Sequence, residues 1–269
     1  MEIKIFDVSH GFCAYVIADN RNVMLFDCGH NSQTGFRPSN YLPLSGCSAI
    51  ERMFFLNYDE DHLSDLPGIL EKLPIAVFHR NRSISAGELR QLKKQAGPIQ
   101  PGMQALLGLI DNAGHNVSGY DEFQGIEIET FCNSYPRFTD TNNLSLVVFL
   151  HCGGIHIVFP GDLEKAGWED LLQNPVFQSH LSRVNIFIAP HHGRQSGYCT
   201  EVFDYCDPDI IVVSDESIKY GTQIIDYRKH AKGIPWNGGD TRYVLTTRKD
   251  GMITISDPPG YSFYVTTSK

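Results

Sequence analysis

The sequence contains no CxxC pair, and its seven cysteines are odd in number. That excludes a fully paired disulfide scaffold and argues against a cysteine-held structural zinc. Several of the cysteines, Cys13 and Cys28 among them, sit in apolar strand-like runs where a free thiol packs as a small hydrophobe, so a reduced, cytoplasmic protein is expected. No apolar run approaches the roughly 18 residues that a membrane span needs, so no membrane partner is expected. Met1 to Ile17 has no cationic stretch ahead of an apolar one, and reads as a strand that starts at once rather than as a signal peptide. Internal repeats, low-complexity tracts and linkers are also lacking. Positive charge is in the minority: 22 Lys+Arg stand against 31 Asp+Glu, a formal net charge of −9. That balance weighs weakly against wholesale coating of DNA, yet leaves room for a local basic groove or a metal site.

What is present describes an ordinary globular chain. Its 269 residues are 42% hydrophobic and 20% charged, enough to bury a large core. We expect one domain over 1–269 with a partly helical insertion at about 80–125. Strand patterns open the chain at Ile3–Phe6, Cys13–Ile17, Val23–Phe26 and Met53–Leu56. Leu63, Leu66, Ile69, Leu70 and Leu73 share one helical face, with Ser64 as N-cap and Pro67 in the first turn. Ile75–Phe78 reads as a buried strand. The insertion reads as an accessory or lid region, with helical patterns at Ser85–Gln95 and Met103–Ala113. Strands return at Ile126–Glu129, Leu144–Phe149, Ile155–Phe159, Val184–Ile188 and Asp209–Ser214, with a helix around Trp168–Leu172. Tyr243–Thr246 and Met252–Ile255 form a predicted hairpin through Lys249-Asp250-Gly251. Strands grouped at both ends with helices between them indicate a layered α/β sandwich.

Several of these strands end in a polar cluster: Asp27, then Asn57/Asp59/Asp61/His62, then Asp162, then His191/His192. A strand end is a rigid platform for a ligand on the loop that follows. Carboxylates and imidazoles together suit zinc, manganese or iron. Three acids within Asn57–His62 repel one another unless a cation is present, although an acidic turn capping the next helix would also explain them. His10 and His30 lie near these elements and read as polar turn residues.

Here the motifs resemble a family. Over nearly its whole length the chain is similar to the metallo-β-lactamase fold hydrolases. Within them it looks most like the soluble hydrolase domain of the competence DNA-uptake protein ComEC. Phe6-Asp7-Val8-Ser9-His10-Gly11 resembles that group's opening element, with Ser9 in place of a glycine. Leu25 to Gly29 matches its DxG element, and Asn57 to His62 matches HxDxDH with Asn57 replacing the first histidine. Asn142 to Val147, Phe159 to Glu164 and Pro190 to Gly193 resemble its NNxSLVL, GDLE and HHGS elements, with Arg194 replacing the serine. Tyr220-Gly221-Thr222-Gln223 stands where the group has YGHP, so Thr222 replaces another histidine.

The resemblance implies a four-layer αββα sandwich with the site at one edge of two sheets. It implies one or two divalent ions, zinc or manganese, activating water against a phosphodiester or related bond. By motif position, Asp61, His62 and Asp162 would hold the better-kept metal, with His191 a further ligand. Asp162 would bridge to a second ion that Asp59 helps hold. Asp61 could also orient the water, and His192 could contact substrate or protonate the leaving group. Asp27 would orient ligands from behind, Asn57 is a degenerate ligand, and Arg194, Asn143 and Thr222 would face the substrate. Three functions stay open: a phosphodiesterase or nuclease acting on nucleic acid or a nucleotide-like substrate, a hydrolase of another ester, thioester or lactam, and a binding module that lost activity. Lys219, Arg228, Lys229, Lys232, Arg242, Arg248 and Lys249, with few acids expected nearby, would supply a basic strip for the first.

Overall fold

The structure is a computed structural model and describes residues 1–112, 123–216, 221–257 and 263–269. Along the chain its strands are β1 (Glu2–Ile5), β2 (Ala14–Ile17), β3 (Val23–Phe26), β4 (Ile50–Phe54), β5 (Ile75–His79), β6 (Glu127–Cys132), β7 (Leu146–Cys152), β8 (Ile155–Phe159), β9 (Ile186–Ile188), β10 (Ile210–Val213), β11 (Ile234–Pro235), β12 (Thr241–Arg242), β13 (Val244–Thr246), β14 (Ile253–Ser256) and β15 (Tyr264–Thr267). The helices are α1 (Pro38–Leu44), α2 (Glu60–Leu63), α3 (Leu66–Lys72), α4 (Ala86–Ala96), α5 (Pro101–Asn112), α6 (Lys165–Leu171), α7 (Pro175–Leu181), α8 (Ile224–Arg228) and α9 (Thr247–Asp250). Among the described residues, no helix is long and apolar enough to cross a membrane.

Two sheets face each other. One runs β15-β14-β1-β2-β3-β4-β5 and the other β13-β10-β9-β8-β7-β6. Both faces of the central strands are apolar, as strands buried on two sides require. On β7, Leu146, Val148 and Leu150 turn inward to a cluster with Phe26, Phe54, Ile157, Phe159 and Ile188 between the sheets. The intervening Val147 and Phe149 turn outward to Trp168, Phe177 and Leu181 of α6 and α7. On the far side, Leu25, Met53 and Phe55 pack beneath Leu66, Ile69, Leu89, Met103 and Leu106. Three apolar interfaces between four layers make the αββα sandwich that the motifs imply. Of the 80–125 stretch, α4 and α5 therefore lie in the outer helical layer. Ser85 starts α4 with a capping box, its hydroxyl accepting from Glu88 N while the Glu88 carboxylate takes Ser85 N. Residues 113–122 lie outside those described.

The structure differs from the sequence reading in four places. The Tyr243–Ile255 hairpin does not form: β13 lies parallel to β10 in one sheet, β14 antiparallel to β1 in the other, and α9 joins them. Local turn chemistry at Asp250-Gly251 mimics a hairpin, but Leu245 and Ile253 bury from opposite sheets into the same core. The helix after β4 is two helices, α2 and α3, because Asp65 leaves the helical path ahead of Pro67. Asp65, rather than Ser64, sits at the α3 N-cap, and the Ser64 hydroxyl instead meets His30. Finally, β5 is a sheet edge and only partly buried.

Candidate metal centre

Strands β3 and β4, and likewise β8, β9 and β10, run parallel, so their C-terminal ends come out at one rim. The loops leaving that rim carry the polar clusters. After β4, the chain from Asn57 to Asp65 is laid across two tight turns. Cys28 N donates to the His62 carbonyl at 2.8 Å, and Asp65 N donates to the Cys28 carbonyl at 2.9 Å. Gly11 and Gly29 pass so close beneath that a Cβ on either would lie 2.2 or 2.3 Å from the Asp61 carbonyl oxygen. Only glycine lets the backbones approach this closely. On the other side, Asp162 N donates to Ser145 Oγ at 3.1 Å, and His191 N donates to the Gly161 carbonyl at 3.2 Å.

This arrangement brings together Asp61, His62, Asp162 and His192, each offering one donor atom within 4.8 Å of the others. His62 Nε2 lies 2.9 Å from Asp162 Oδ1; His192 Nε2 lies 3.2 Å from Asp61 Oδ2 and 3.6 Å from Asp162 Oδ2. His62, Asp162 and His192 are buried, yet His62 Nε2, Asp162 Oδ1 and His192 Nε2 have no hydrogen-bond partner of proper geometry. Buried polar atoms aimed at one point without such partners fit a metal ion, and two imidazole nitrogens with two carboxylates are a donor set for a divalent cation. The far nitrogens are fixed. His62 Nδ1 donates to Asp27 Oδ2 at 2.6 Å, and His192 Nδ1 donates to the Ser214 carbonyl at 3.1 Å, so each Nε2 turns its lone pair inward. Asp27 is itself pinned, its Oδ1 accepting from Leu56 N.

Without a cation, protons compensate the carboxylates. Burial disfavours charge on His62, but Asp162 and Asp27 outweigh it and hold its pKa well above the ordinary 6.5. His192 is raised likewise, burial being overcome by Asp162 and Asp61. Asp61 is lowered, its burial outweighed by His192 and His62, and Asp162 is lowered to about 2 against its burial, mainly by the same two rings. His62 therefore stabilises the metal-free fold below pH 6.5 and loses that contribution as pH rises through its raised pKa. Asp162 contributes above pH 3.8 and loses its share as pH falls to about 2. The metal-free melting temperature is expected to be highest between pH 3.8 and 6.5, with zinc affinity rising with pH as the imidazole protons leave. Calorimetric scans across pH, and zinc titrations in buffers of different ionisation enthalpy, check both; a melting temperature that climbs above pH 7 contradicts them.

The other residues singled out from sequence lie around this group. His191 points aside: Nδ1 is 3.2 Å from Glu164 Oε1, and Nε2 is 4.0 Å from Asp162 Oδ2. Asp59 is engaged by Lys93 of α4 and by Thr141 Oγ1. Asn57 faces away, donating to Ser145 Oγ at 3.1 Å and accepting from Asp59 N at 2.7 Å. Asn143 is built into the scaffold, its Oδ1 accepting from Gly167 N at 2.9 Å. Thr222 pairs with Arg194 through a backbone bridge, and Tyr220 lies outside the described residues. Sequence reasoning missed His10. Its Nε2 lies 3.4 Å from Asp61 Oδ2 and its ring centroid 4.4 Å from that of His192. The one available signal was its place between Ser9 and Gly11, both left-handed at φ 63° and 126°, a turn tight enough to carry a side chain back over the rim.

The expected basic strip is also corrected. Lys229 pairs with Asp226, Lys232 with Asp207 and Asp209, Arg242 with Asp250, and Arg248 with Asp215. Arg228 lies over the Tyr243 ring, and Lys219 is outside the described residues. Lys229, Lys232, Arg242 and Arg248 have acids within reach because the same part of the chain supplies both signs.

No family model matches the chain. A competence protein, ComA of Neisseria gonorrhoeae, is 24% identical over 237 residues, which are 86% of this chain and 30% of that protein. The chain thus spans less than a third of that relative's length. Among solved structures, a CmlA β-hydroxylase variant aligns with TM-score 0.50 and 12% identity over 94% of this chain and 53% of that one. A Thermotoga maritima protein described as a Zn-dependent hydrolase of the metallo-β-lactamase superfamily aligns at TM-score 0.43 and 11% identity over 91% and 97%. With two facing sheets between helical layers, and its carboxylate–imidazole group at their shared rim, this chain has the metallo-β-lactamase fold that its motifs resemble.

Proposed function

We propose that this chain is a metal-dependent hydrolase acting on a phosphodiester. The observation that carries the reading is the inward convergence of Asp61, His62, Asp162 and His192, with three buried donor atoms lacking hydrogen-bond partners. Those four residues would hold one divalent ion, zinc or manganese. When bound, such an ion polarises the scissile group and brings the pKa of water near 7. The chain's own residues supply the rest. Asp27 and the Ser214 carbonyl keep the Nδ1 protons on His62 and His192. Phe12, Leu56, Phe159, Ile188 and Ala189 form a dry wall behind the cluster. The solvent side is lined by His10, His191 and Arg194, so substrate would enter there. The phosphodiester preference leans on the resemblance to the competence protein's domain. A compartment without disulfide chemistry suits the seven free thiols.

One observation favours a second reading, a binding module without turnover. Asn57 and Asp59, at positions where the resemblance would place metal ligands, are committed to Ser145, Lys93 and Thr141. Metal content by mass spectrometry, with turnover of bis-p-nitrophenyl phosphate, single-stranded DNA and RNA in zinc or manganese, separates the two. The hydrolase reading expects about one ion per chain and turnover lost in Asp61→Ala. Stoichiometric metal without turnover of any phosphodiester leaves the binding module.

A further inference from the structure

The turn that delivers His192 also delivers a cation. His191, His192 and Gly193 are three consecutive left-handed residues, at φ 48°, 55° and 72°. Each of the two histidines costs roughly 1–2 kcal/mol in that conformation, and such strain persists only where the surroundings enforce it. Here it sends His192 into the cluster, His191 outward, and Arg194 back across the rim. The guanidinium then spans two imidazoles from separate segments. Arg194 NH1 donates to His191 Nε2 at 3.1 Å, and NH2 donates to His10 Nε2 at 2.9 Å. That same His10 nitrogen is 3.4 Å from Asp61 Oδ2, and His191 Nε2 is 4.0 Å from Asp162 Oδ2, so the arginine stands one imidazole away from the carboxylate–imidazole group on its rim side. Neither Arg194 nor His10 is fully buried.

We propose that Arg194, oriented by His10, is the anion-binding arm of the centre and takes the non-bridging oxygens of a phosphodiester. The substrate class rests on the hydrolase reading above; the binding itself rests on geometry. Both imidazoles meet the guanidinium through Nε2, which can only accept from it and so presents a lone pair, as a neutral ring does. A phosphate oxygen is a charged acceptor, and charge-assisted hydrogen bonds are roughly twice as strong as neutral ones, so exchange of acceptors favours the anion. The planar fork matches a pair of phosphate oxygens, which a lysine in the same place would not do. A lactam or thioester carbonyl offers no acceptor stronger than imidazole and would gain little from the exchange. Without such a cation, Asp61, Asp162 and Glu164 would repel an anionic substrate from this rim.

The test is calorimetric titration of inorganic phosphate into zinc-loaded protein from which excess zinc has been removed, with metal content measured alongside. Arg194→Ala is expected to weaken phosphate about tenfold or more, the worth of one charge-assisted hydrogen bond, while keeping its zinc. Arg194→Lys should fall between, and His10→Ala should lose about threefold through lost orientation. Arg194→Ala that binds phosphate as tightly as the parent, or that loses its zinc, overturns the assignment; if the alanine variant fails to fold, parental phosphate affinity or zinc loss in Arg194→Lys overturns it instead. Phosphate bound through Arg194 without phosphodiester turnover removes the hydrolase reading and leaves this one standing. Turnover with an unchanged KM in Arg194→Ala does the reverse.

Discussion

Asp162→Ala is expected to take up no divalent ion and to turn over no substrate. Asp162 is the carboxylate that meets both inward-facing rings: Oδ1 lies 2.9 Å from His62 Nε2, and Oδ2 lies 3.6 Å from His192 Nε2. Its backbone N donates to Ser145 Oγ at 3.1 Å, which fixes the loop that aims this carboxylate inward. Without it, two buried imidazoles face each other with only Asp61 beside His192 and Asp27 behind His62 as counter-charges. Breaking a buried pair by removing one partner costs about 3–5 kcal/mol, so the metal-free variant should also melt earlier. Asp59→Ala is the matched control. Its carboxylate is held by Lys93 and Thr141 outside the four-residue group, so metal content should stay at the parent value. Metal analysis and melting curves of the two proteins side by side check this. Stoichiometric metal in Asp162→Ala contradicts it.

Asp27→Asn is expected to lower metal affinity about 10–100-fold with little change in the fold, the effect typical of residues that orient metal-ligating histidines. The amide is the same size and its oxygen can still accept from Leu56 N. Its nitrogen, however, would meet His62 Nδ1, which now donates to the carboxylate at 2.6 Å. Two donors cannot face each other, so the proton moves to Nε2 and the lone pair that should face the metal is lost. The carboxylate is held up to about 6 by burial even with His62 beside it, so acidification of the parent should reproduce part of the effect. Competition with a chelator of known affinity measures the loss. An Asp27→Asn protein with parental affinity would mean that Asp27 does not set the His62 tautomer.

Much of this architecture was legible in the sequence because burial on both faces writes continuous apolar runs. Val23–Phe26 and Ile210–Val213 are such runs, Ile155–Phe159 is one broken only by His156, and each is a strand. Asp27 and Asp162 were legible because they follow such runs closely, and Asp61, His62 and the His191/His192 pair because they lie within a few residues of the ends of β4 and β9. What failed was information carried by the third dimension. Which of His191 and His192 turns inward depends on left-handed backbone that no spacing reveals. His10 gave no ligand-like pattern, since its partners Asp61, His192 and Arg194 lie far along the chain. The pairing of Arg248 with Asp215 and of Arg242 with Asp250 hid in the same way, and composition alone made those cations look unopposed. The false hairpin shows the opposite error: a good local turn at Gly251 lost to two sheets that each needed one of its strands.

The most direct measurement is anomalous diffraction from crystals of the zinc-loaded protein, collected on both sides of the zinc edge. The expected result is one peak per chain, coordinated by Asp61, His62, Asp162 and His192, with Asp59 still on Lys93. A zinc-loaded crystal with no peak among those four residues, or with the ion held by His191 and Asp59 instead, would contradict the central claim.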